Sequence, residues 1–429
     1  MTHSAWINRD EAVLWHGFTQ MSSFAANAPV IVERGEGREL IDVDGNRYLD
    51  AISSLWVTTL GHRVPELDEA IVAQVGRIAH STMLGNSNRI TIELAEALAA
   101  VVPVDEPHFL FASDGAAAVE QALKIAFQFW VNKGVSGRTS YLALGRSYHG
   151  DSVGSLSLGA DGFGTDLFGP LRFPVLRAPG YDDPGWADAA ISMLQAHEAH
   201  LAAVVIEPLV QGAAGMLMTT PADVRRLADA CRAAGTLLIC DEVATGFGRT
   251  GALFASAHCG ISPDLLCLGK GLTGGYLPMS ATVANQRVYQ AFLGPDLGER
   301  TFYHGHSYGG NALAAAVALR HLRLMQERDV LANVRARSAQ LEHLLRERVV
   351  PSAPVREARV TGLMAGIELE PPGPGLRWGR RVCAAAAGQG VLLRPLGDVI
   401  VVMPPLTTTA AEIERIVDVL ALCTREVCR

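Results

Sequence analysis

Apolar and polar residues along the middle of the chain follow two rhythms that predict alternating strands and helices. Runs with almost no polar side chain occur at 202–206, 237–240 and 265–268, and such runs are typical of strands buried on both faces of a parallel sheet. Elsewhere the apolar residues recur every three or four positions, as on one buried face of a helix. The clearest such set is Val119, Ala122, Leu123, Ala126, Phe127 and Trp130. The alternation predicts an α/β fold with a mainly parallel sheet covered by helices.

The pattern differs at both ends of the chain. Asp44 and Gly45 separate two alternating runs between residues 39 and 50, which predicts a β-hairpin. After about residue 325 the pattern predicts a long helix, then strands, then an amphipathic helix at about 410–422. These strands are expected near 360–368, 391–394 and 399–403.

A chain of 429 residues is too long for one simple core, so a large domain plus a smaller one is expected. The change of pattern places the large domain at 61–325. The segments 1–60 and 326–429 would together form a smaller α+β domain. The chain contains no internal repeat and no low-complexity segment.

Composition and charge exclude several classes of function. Hydrophobic residues make up 49% of the chain and charged residues 19%, as in a globular protein with a large core. The net charge of −8 argues against a nucleic-acid partner or an anionic membrane surface. No apolar run reaches the roughly 18 residues that span a bilayer, and the first ten residues lack the features of a secretory signal. We therefore expect a cytoplasmic protein.

The cysteines and histidines predict neither a disulfide nor a metal site. The seven cysteines are odd in number and none form a Cys-x-x-Cys pair, while Cys240 and Cys267 lie inside apolar runs. Buried, reduced thiols are therefore expected. The thirteen histidines lack the usual spacing of metal ligands. His304 and His306 are two positions apart, but the sequence offers no third ligand beside them.

Two of the apolar runs end in residues that together suit one cofactor. One run ends at Lys270, between Gly269 and Gly271, and another ends at Asp241. A lysine at a strand end is usually a solvated charge, but two flanking glycines allow another group to approach closely. A lysine amine can form a Schiff base with an aldehyde, and a carboxylate can pair with a protonated ring nitrogen. The pair predicts a site for pyridoxal 5′-phosphate (PLP).

Two segments offer groups for the phosphate of such a cofactor. Gly115 and Ala116 begin a predicted helix, whose free N–H groups and dipole suit a phosphate. The preceding Asp114 also fits a simple helix cap, so this motif indicates a phosphate site only together with Lys270. Ser307 lies in a polar loop and can donate a hydrogen bond to a phosphate.

Three other side chains can serve either the site or the structure. Tyr148 follows a strand-like run and can stack on a flat ring, or it is an ordinary half-buried tyrosine. Arg394 lies between two predicted strands and suits a carboxylate, or it forms a surface salt bridge. Arg249 follows Asp241 within a glycine-dense segment, where a structural role is slightly favoured over substrate binding.

Three motifs together resemble those of the fold-type I, class III pyridoxal-phosphate aminotransferases. They are residues 206–212, 241–251 and 263–275. The resemblance covers nearly the whole chain, from Leu14 to the final helix. It implies aminotransferase activity, PLP as the cofactor, small-molecule substrates, and a homodimer with shared active sites.

The resemblance also implies roles for individual residues. Lys270 would be the catalytic lysine, which binds the cofactor and moves a proton during turnover. Asp241 would hold the ring nitrogen protonated, and Tyr148 would stack near the ring. The remaining cofactor-binding residues would be Gly115, Ala116, His306 and Ser307. Of these, Ser307 would reach the phosphate of the neighbouring subunit.

Finer features resemble the diaminononanoate synthases, a branch of this family that aminates 8-amino-7-oxononanoate in biotin biosynthesis. They lie at 14–21, 53–56, 148–151 and 393–405. In that branch Arg394 would bind the substrate carboxylate and Trp56 would line the substrate channel. The full substrate-binding set would be Phe18, Trp56, Tyr148, Gly305 and Arg394.

The chain departs from many members of that branch. Phe18 replaces a tyrosine, so one hydroxyl contact to the substrate is missing, and His306-Ser307 stands where Pro-Thr is common. Phe18, together with 274–278 and 304–308, resembles the Bacillus-type branch, in which lysine can replace S-adenosylmethionine as amino donor. The donor therefore stays open between these two.

Three other functions compete with this interpretation. An ω-amino acid:pyruvate aminotransferase would share Lys270 and Asp241, but Trp56 and the stretch 394–405 favour the diaminononanoate branch. A semialdehyde aminomutase is disfavoured for the same reason. A non-catalytic PLP-binding regulator would carry a basic DNA-binding segment, which this acidic chain lacks, with its pI of about 5.9.

Overall fold

The structure is a computed structural model that describes residues 2–27, 29–162 and 164–428. The chain divides into two compact units. The large unit comprises residues 66–334, and the small unit comprises the described residues of 1–65 and 335–429. Each unit is described separately below.

The secondary structure of both units follows in chain order. The strands are β1 (Val32–Glu36), β2 (Glu39–Asp42), β3 (Arg47–Asp50), β4 (His108–Ala112), β5 (Ser140–Leu144), β6 (Leu176–Ala178), β7 (Leu201–Ile206), β8 (Val210–Gln211), β9 (Leu217–Met218), β10 (Leu237–Asp241), β11 (Leu265–Leu268), β12 (Ser280–Ala284), β13 (Val355–Thr361), β14 (Met364–Leu369), β15 (Val391–Leu392), β16 (Arg394–Leu396) and β17 (Val399–Val402). The α-helices are α1 (His3–Glu11), α2 (Ser53–Trp56, one irregular turn), α3 (Pro65–Val75), α4 (Arg89–Ala99), α5 (Gly115–Asn132), α6 (Val153–Leu158), α7 (Trp186–His197), α8 (Pro221–Ala233), α9 (Ala255–Cys259), α10 (Gln286–Gln290), α11 (Ala312–Glu327), α12 (Val330–Leu344), α13 (Trp378–Gly388) and α14 (Ala410–Val427).

A seven-stranded sheet forms the centre of the large unit. Its strand order is β4-β12-β11-β10-β7-β5-β6. Strand β12 runs antiparallel to both of its neighbours, and the other neighbouring pairs are parallel. The mainly parallel sheet is therefore confirmed. Every residue of β7, β10 and β11 is buried, which explains why these stretches contain almost no polar side chain.

Helix α5 packs against this sheet and extends beyond the predicted span at both ends. Asp114 caps its first turn, because its side chain accepts a hydrogen bond from the Ala117 N–H at 2.9 Å. The expectation that Phe127 lies on the buried face is wrong: Phe127 is 43% exposed and Phe129 is 2% exposed. The buried face of the helix includes Ile125 and Phe129, so Phe127 lies outside this face.

The first sheet of the small unit joins the two ends of the chain. Its order is β1-β2-β3-β15, and β2 and β3 form the hairpin predicted around Gly45. Asp42 stabilises the turn, because its Oδ1 accepts hydrogen bonds from the N–H groups of Asp44 at 3.0 Å and Asn46 at 2.8 Å. Strand β15, from the C-terminal part of the chain, then pairs in parallel with β3.

The second sheet of the small unit has the order β13-β14-β17-β16. The strand expected near 360–368 is β14, but it begins only at Met364, because the chain reverses just before it: β13 and β14 form an antiparallel hairpin. Gly362 makes the reversal possible, since its φ of 60° lies in the left-handed region that favours glycine. Helix α14 extends past the expected residue 422 and begins with a capping box formed by Thr409 and Glu412.

Two further expectations concern the chain as a whole. Over the residues that the structure describes, no helix is long and apolar enough to cross a membrane. All seven cysteines are described, and each is free and buried. The prediction of buried thiols is therefore confirmed.

The packing of α5 gives a test with a matched control. Phe129→Ala is expected to lower the free energy of unfolding by about 3–5 kcal/mol, because it leaves a cavity beneath the helix. Phe127→Ala, two residues away on the exposed side, is expected to change it by about 0.5 kcal/mol or less. Denaturant unfolding, monitored by circular dichroism, measures the free energy of unfolding of both variants. Equal losses for the two variants would contradict this orientation of α5.

Candidate active site

The carboxyl ends of five strands meet at one edge of the large unit's sheet. Strands β5, β7, β10 and β11 are mutually parallel, and β4 shares their direction because the antiparallel β12 lies between β4 and β11. Ligand sites of open α/β sheets form at this edge. The residues that end or follow these strands are Gly115 after β4, Tyr148 after β5, Glu207 after β7, Asp241 at the end of β10, and Lys270 after β11.

Asp241 is a buried carboxylate that two neighbours hold in place. Its Oδ2 lies 2.7 Å from Nδ1 of His149, and its Oδ1 accepts a hydrogen bond from the Val243 N–H at 3.0 Å. Burial lowers the pKa of His149, but its hydrogen bond to Asp241 and that residue's charge outweigh burial and raise the pKa overall. The pair therefore favours a protonated imidazole beside a carboxylate of fixed orientation.

No role was predicted for His149 from the sequence. It is separated from Asp241 by 92 positions, and only the folding of the loop after β5 brings the two together. The one signal in the sequence was its place next to Tyr148.

Lys270 lies where the chain leaves β11, in a strained backbone conformation. Its φ is 40°, in the left-handed region that non-glycine residues rarely adopt. Burial lowers the pKa of its amine, while the charges of Asp241 and Glu207 partly oppose this. A lowered pKa increases the fraction of neutral amine, which is the form that attacks an aldehyde.

The start of α5 offers backbone donors next to the lysine. The side chain of Asp114 accepts a hydrogen bond from the Ala117 N–H, and the backbone carbonyl of Asp114 accepts one from the Ala118 N–H. Among the described residues, the N–H groups of Gly115 and Ala116 have no partner. Two unpaired N–H groups at the positive end of an 18-residue helix suit an anion.

Close packing joins this helix start to the lysine's strand. A Cβ placed on Gly115 would lie 2.6 Å from Cγ1 of Val243, and one on Gly269 would lie 3.5 Å from the Cα of Gly115. Gly115 is therefore required for this close approach, while a Cβ on Gly269 would lie 3.3 Å from the same Cγ1, a tight contact. Val243 is a contact that the sequence analysis did not single out.

Tyr148 is half-buried, and both its backbone and its side chain form hydrogen bonds to carboxylates. Its hydroxyl donates to Oδ2 of Asp151 at 2.9 Å, and its N–H donates to Oε1 of Glu207 at 3.0 Å. Burial raises the pKa of the phenol well above its ordinary value, so the side chain stays neutral. The sequence motif 206–212 contained Glu207, but its contact with Tyr148 was not predicted.

Arg249 is fully buried. Gly248 and Gly251 both adopt a φ of 94° on either side of it, and their backbones form a turn. The positive charge of Arg249 helps to lower the pKa of Lys270. Burial within this turn is consistent with the structural role that the sequence slightly favoured.

The loop at 304–308 lies on the surface of the large unit. Gly305 and Ser307 are exposed and His306 is half-buried. Nε2 of His80 donates to the Ser307 carbonyl at 2.8 Å. Over the described part of the chain, no group of three or more His, Cys, Asp or Glu residues could hold a metal ion.

The other three predicted substrate residues belong to the small unit. Phe18 is 71% exposed, while Trp56 is buried, and both adopt positive φ angles. Arg394 is exposed and begins β16. None of the carboxylates that the structure describes pairs with its guanidinium, so Arg394 does not form the surface salt bridge that the sequence left open.

Comparison with known proteins decides the family. The family model for aminotransferase class-III matches residues 21–423. The chain belongs to the class III aminotransferases. It is 44% identical to an adenosylmethionine-8-amino-7-oxononanoate aminotransferase of Nitratidesulfovibrio vulgaris, over 95% of this chain and 79% of that protein. It is 40% identical to a protein of the same name from Geobacter sulfurreducens, over 95% of each.

Solved structures agree with this assignment. The crystal structure of adenosylmethionine-8-amino-7-oxononanoate aminotransferase from Methanocaldococcus jannaschii superposes with a TM-score of 0.95, at 37% identity over 99% of each chain. An amine transaminase from an uncultivated Pseudomonas species, in its PLP-bound form, gives 0.89 at 33% identity over 97% of this chain and 99% of that one. The protein is a PLP-dependent aminotransferase of fold type I, as the motifs predicted.

The aminotransferase has a group to match each reactive part of PLP. The unpaired N–H groups at the start of α5 suit the phosphate, and the glycine contacts leave no room there for a side chain. The Lys270 amine, with its lowered pKa, suits the aldehyde. The Asp241 carboxylate, fixed by His149, suits the basic ring nitrogen. These residues therefore fit the cofactor.

The tight contact at Gly115 gives a test of the proposed phosphate site at the start of α5. Gly115→Ala is expected to weaken PLP binding by the apoprotein about tenfold, since overpacking costs about 1–3 kcal/mol. Val243→Ala removes the clashing methyl groups, so the double variant is expected to recover affinity to within about threefold. Absorbance titration with PLP measures this.

Gly137→Ala is the matched control, because the nearest atom to its new Cβ lies at an ordinary 3.6 Å. Its affinity for PLP is expected to equal that of the unaltered protein. Failure of Val243→Ala to rescue Gly115→Ala would contradict the close packing as the reason for the glycine.

Proposed function

We propose that this aminotransferase converts 8-amino-7-oxononanoate to 7,8-diaminononanoate in biotin biosynthesis, with S-adenosylmethionine or lysine as amino donor. The single observation that carries the proposal is the similarity to proteins named for this reaction, at 44% and 40% identity over 95% of the chain. The exposed guanidinium of Arg394, without a carboxylate partner among the described residues, supports a substrate that ends in a carboxylate.

The cofactor roles follow from the groups at the sheet edge. When bound, PLP supplies an electrophilic aldehyde and a ring that accepts electron density. Lys270 would hold the aldehyde group, and Asp241 would keep a negative charge beside the ring nitrogen, which favours its protonated form. Gly115 and Ala116 donate their N–H groups to the phosphate, and the aromatic ring of Tyr148 stacks near the cofactor ring.

Lys270 also moves the proton of the reaction. With PLP bound, the Lys270 amine, when neutral, would accept a proton from the substrate carbon. Its lowered pKa favours this neutral form. The same amine would later give this proton back, and it would serve the second substrate in the opposite direction.

Four further residues are proposed to bind the substrate, each in the role that the family resemblance implies. Arg394 binds the carboxylate of the oxononanoate, as a planar guanidinium can do through two parallel hydrogen bonds. Trp56 lines the apolar channel for the carbon chain, and Gly305 contacts the substrate. Phe18 supplies an aromatic face without the hydroxyl that many relatives of this type have.

The active enzyme is proposed to be a cytoplasmic homodimer. Ser307, with His306 beside it, reaches the phosphate held by the neighbouring subunit. Both residues lie on a surface loop, and the exposed Tyr303 and Tyr308 flank them with aromatic surface. Exposed aromatic side chains of this size are typical of protein interfaces.

An ω-amino acid:pyruvate aminotransferase is the alternative. Its supporting observation is the similarity to solved transaminases, such as the Pseudomonas jessenii ω-transaminase, with a TM-score of 0.91 at 27% identity. Such an enzyme would use Lys270 and Asp241 in the same way, so the cofactor site does not distinguish the two functions.

A half-reaction with single substrates tests the proposal. The PLP-loaded protein is mixed separately with 7,8-diaminononanoate, S-adenosylmethionine, lysine and a simple ω-amine, and the cofactor absorbance is followed. We expect bleaching by 7,8-diaminononanoate and by one of the two proposed donors. Bleaching by the simple amine alone would contradict the proposal and favour the alternative.

Loss of the lysine tests the catalytic assignment. Lys270→Ala is expected to lower turnover by about three orders of magnitude or more, because no other group is proposed to move the proton. Lys133→Ala, at the exposed end of α5, is the control and is expected to stay within about twofold. Near-normal turnover in Lys270→Ala would show that the proton moves by another route.

Loss of the guanidinium tests the carboxylate assignment. Arg394→Ala is expected to raise KM for 8-amino-7-oxononanoate about 10- to 100-fold, the usual effect of removing a charge-assisted hydrogen bond. The methyl ester of this substrate lacks the charge, so the variant and the unaltered enzyme are expected to use it equally. A variant that keeps its preference for the acid over the ester would exclude Arg394 as the carboxylate ligand.

A further inference from the structure

Glu207 is a buried carboxylate without a role in the reaction proposed above. It follows β7 in the large unit and is 5% exposed. Each of its oxygens holds one backbone amide: Oε1 accepts from the Tyr148 N–H at 3.0 Å, and Oε2 accepts from the Gly212 N–H at 3.2 Å. The carboxylate therefore ties together two loops at the carboxyl edge of the sheet.

The loop after β5 carries Tyr148, which is proposed to stack on the cofactor ring. Two other side chains hold this loop on either side of Tyr148. Nε2 of Gln211 donates to the Gly145 carbonyl at 2.8 Å, and His149 contacts Asp241 at 2.7 Å. Glu207 binds the backbone between these points, at the residue proposed to stack on the ring. Its contact thus sets the position of that residue directly.

Charged groups act on Glu207 from several strand ends. Burial raises the pKa of its carboxyl group to about 7. His149 on the loop after β5 lowers this pKa, and Asp241 at the end of β10 raises it. Lys270 after β11 is also within electrostatic reach, because Glu207 raises the pKa of that lysine. The Tyr181 hydroxyl binds the backbone carbonyl of Glu207 at 2.7 Å.

We propose that Glu207 is a positioning residue that holds Tyr148 at the cofactor only while its carboxylate is ionised. An ionised carboxylate accepts hydrogen bonds from both amides. A protonated carboxyl group turns an O–H towards one of them, so that two donors face each other and one contact is lost. The inference rests on the proposed stacking role of Tyr148.

The direction of the pH effect follows from this chemistry. Above about pH 7 Glu207 is ionised, both amides are bound, and the loop is held. As the pH falls through 7, the carboxyl group takes up a proton and the loop loosens. Cofactor affinity is therefore expected to fall towards acid pH by more than the titration of the cofactor itself requires.

A comparison of affinities isolates the contribution of Glu207. Pyridoxamine 5′-phosphate is the probe, because it has no aldehyde and cannot bond to Lys270. Its Kd for the apoprotein is measured between pH 6 and 8.5 for the unaltered chain and for Glu207→Gln, by quenching of tryptophan fluorescence. The quantity compared is the ratio of the Kd of the variant to the Kd of the unaltered chain at each pH. Titration of the ligand affects both Kd values equally and therefore does not change this ratio.

The amide of Glu207→Gln resembles the protonated acid at every pH. The variant is therefore expected to bind like the unaltered protein at pH 6 and about tenfold more weakly at pH 8, where one hydrogen bond to a charged group is missing. A ratio that does not change with pH, whatever its size, would overturn the proposal.

Glu242→Gln is the matched control. Glu242 is another buried glutamate at the same edge, but it accepts hydrogen bonds from the N–H groups of Ala255 and Ser256. Its variant is expected to give a ratio independent of pH. If the Kd ratio rose with pH equally for both variants, this would indicate general loosening of the large unit and would overturn the specific role of Glu207.

A second measurement needs no variant. Hydrogen exchange of the peptide that contains the Tyr148 amide is followed in the unaltered apoprotein at several pH values and corrected for the intrinsic rate. Protection is expected to fall about tenfold between pH 8 and pH 6. Constant protection would overturn the proposal. The half-reaction with 7,8-diaminononanoate does not depend on either result, so failure here is distinguishable from failure of the proposed function.

Discussion

The meeting of five parallel strand ends at one edge is the constraint on which the cofactor site depends. It brings together two carboxylates, an imidazole and a lysine amine from four segments of the chain that are far apart in sequence. Isolated buried charges are costly, by several kcal/mol for each ion. Here each charge has a partner or an altered pKa: Asp241 pairs with His149, and Lys270 and Glu207 have pKa values shifted towards their neutral forms.

This balance also explains the chemistry. The cofactor needs an anion beside its ring nitrogen and a neutral amine beside its aldehyde, and both must persist near neutral pH. We propose that Asp241 supplies the first, because the imidazole of His149 fixes the orientation of its carboxylate. Burial of Lys270 supplies the second. In the proposed function, the same edge serves two unlike substrates in turn, and substrate specificity is assigned to Arg394 and the other proposed substrate residues.

The sequence predicted the parts of this site that depend on local pattern. Apolar runs marked β10 and β11, and the residues that end them, Asp241 and Lys270, followed directly. Helix α5 and the hairpin of β2 and β3 were also predicted, because helical periodicity and an Asp-Gly turn are local signals. The pair of Asp241 and Lys270 predicted the cofactor, and longer motifs predicted the family.

Other features depend on the fold and could not be read from local pattern. The contacts of His149 with Asp241 and of Glu207 with Tyr148 join residues 92 and 59 positions apart. The burial of Phe129 rather than Phe127 reflects how α5 is rotated on the sheet. The reversal at Gly362 was hidden because apolar residues continue through the turn.

The state of the cofactor's ring nitrogen tests the central claim most directly. The protein is loaded with PLP that carries ¹⁵N in its ring, and the nitrogen resonance is recorded from pH 6 to pH 9. We predict a protonated nitrogen throughout this range, and an unprotonated one in Asp241→Asn, because only the charged side chain stabilises the pyridinium. A nitrogen that loses its proton within this range in the unaltered protein would contradict the account of Asp241 and His149.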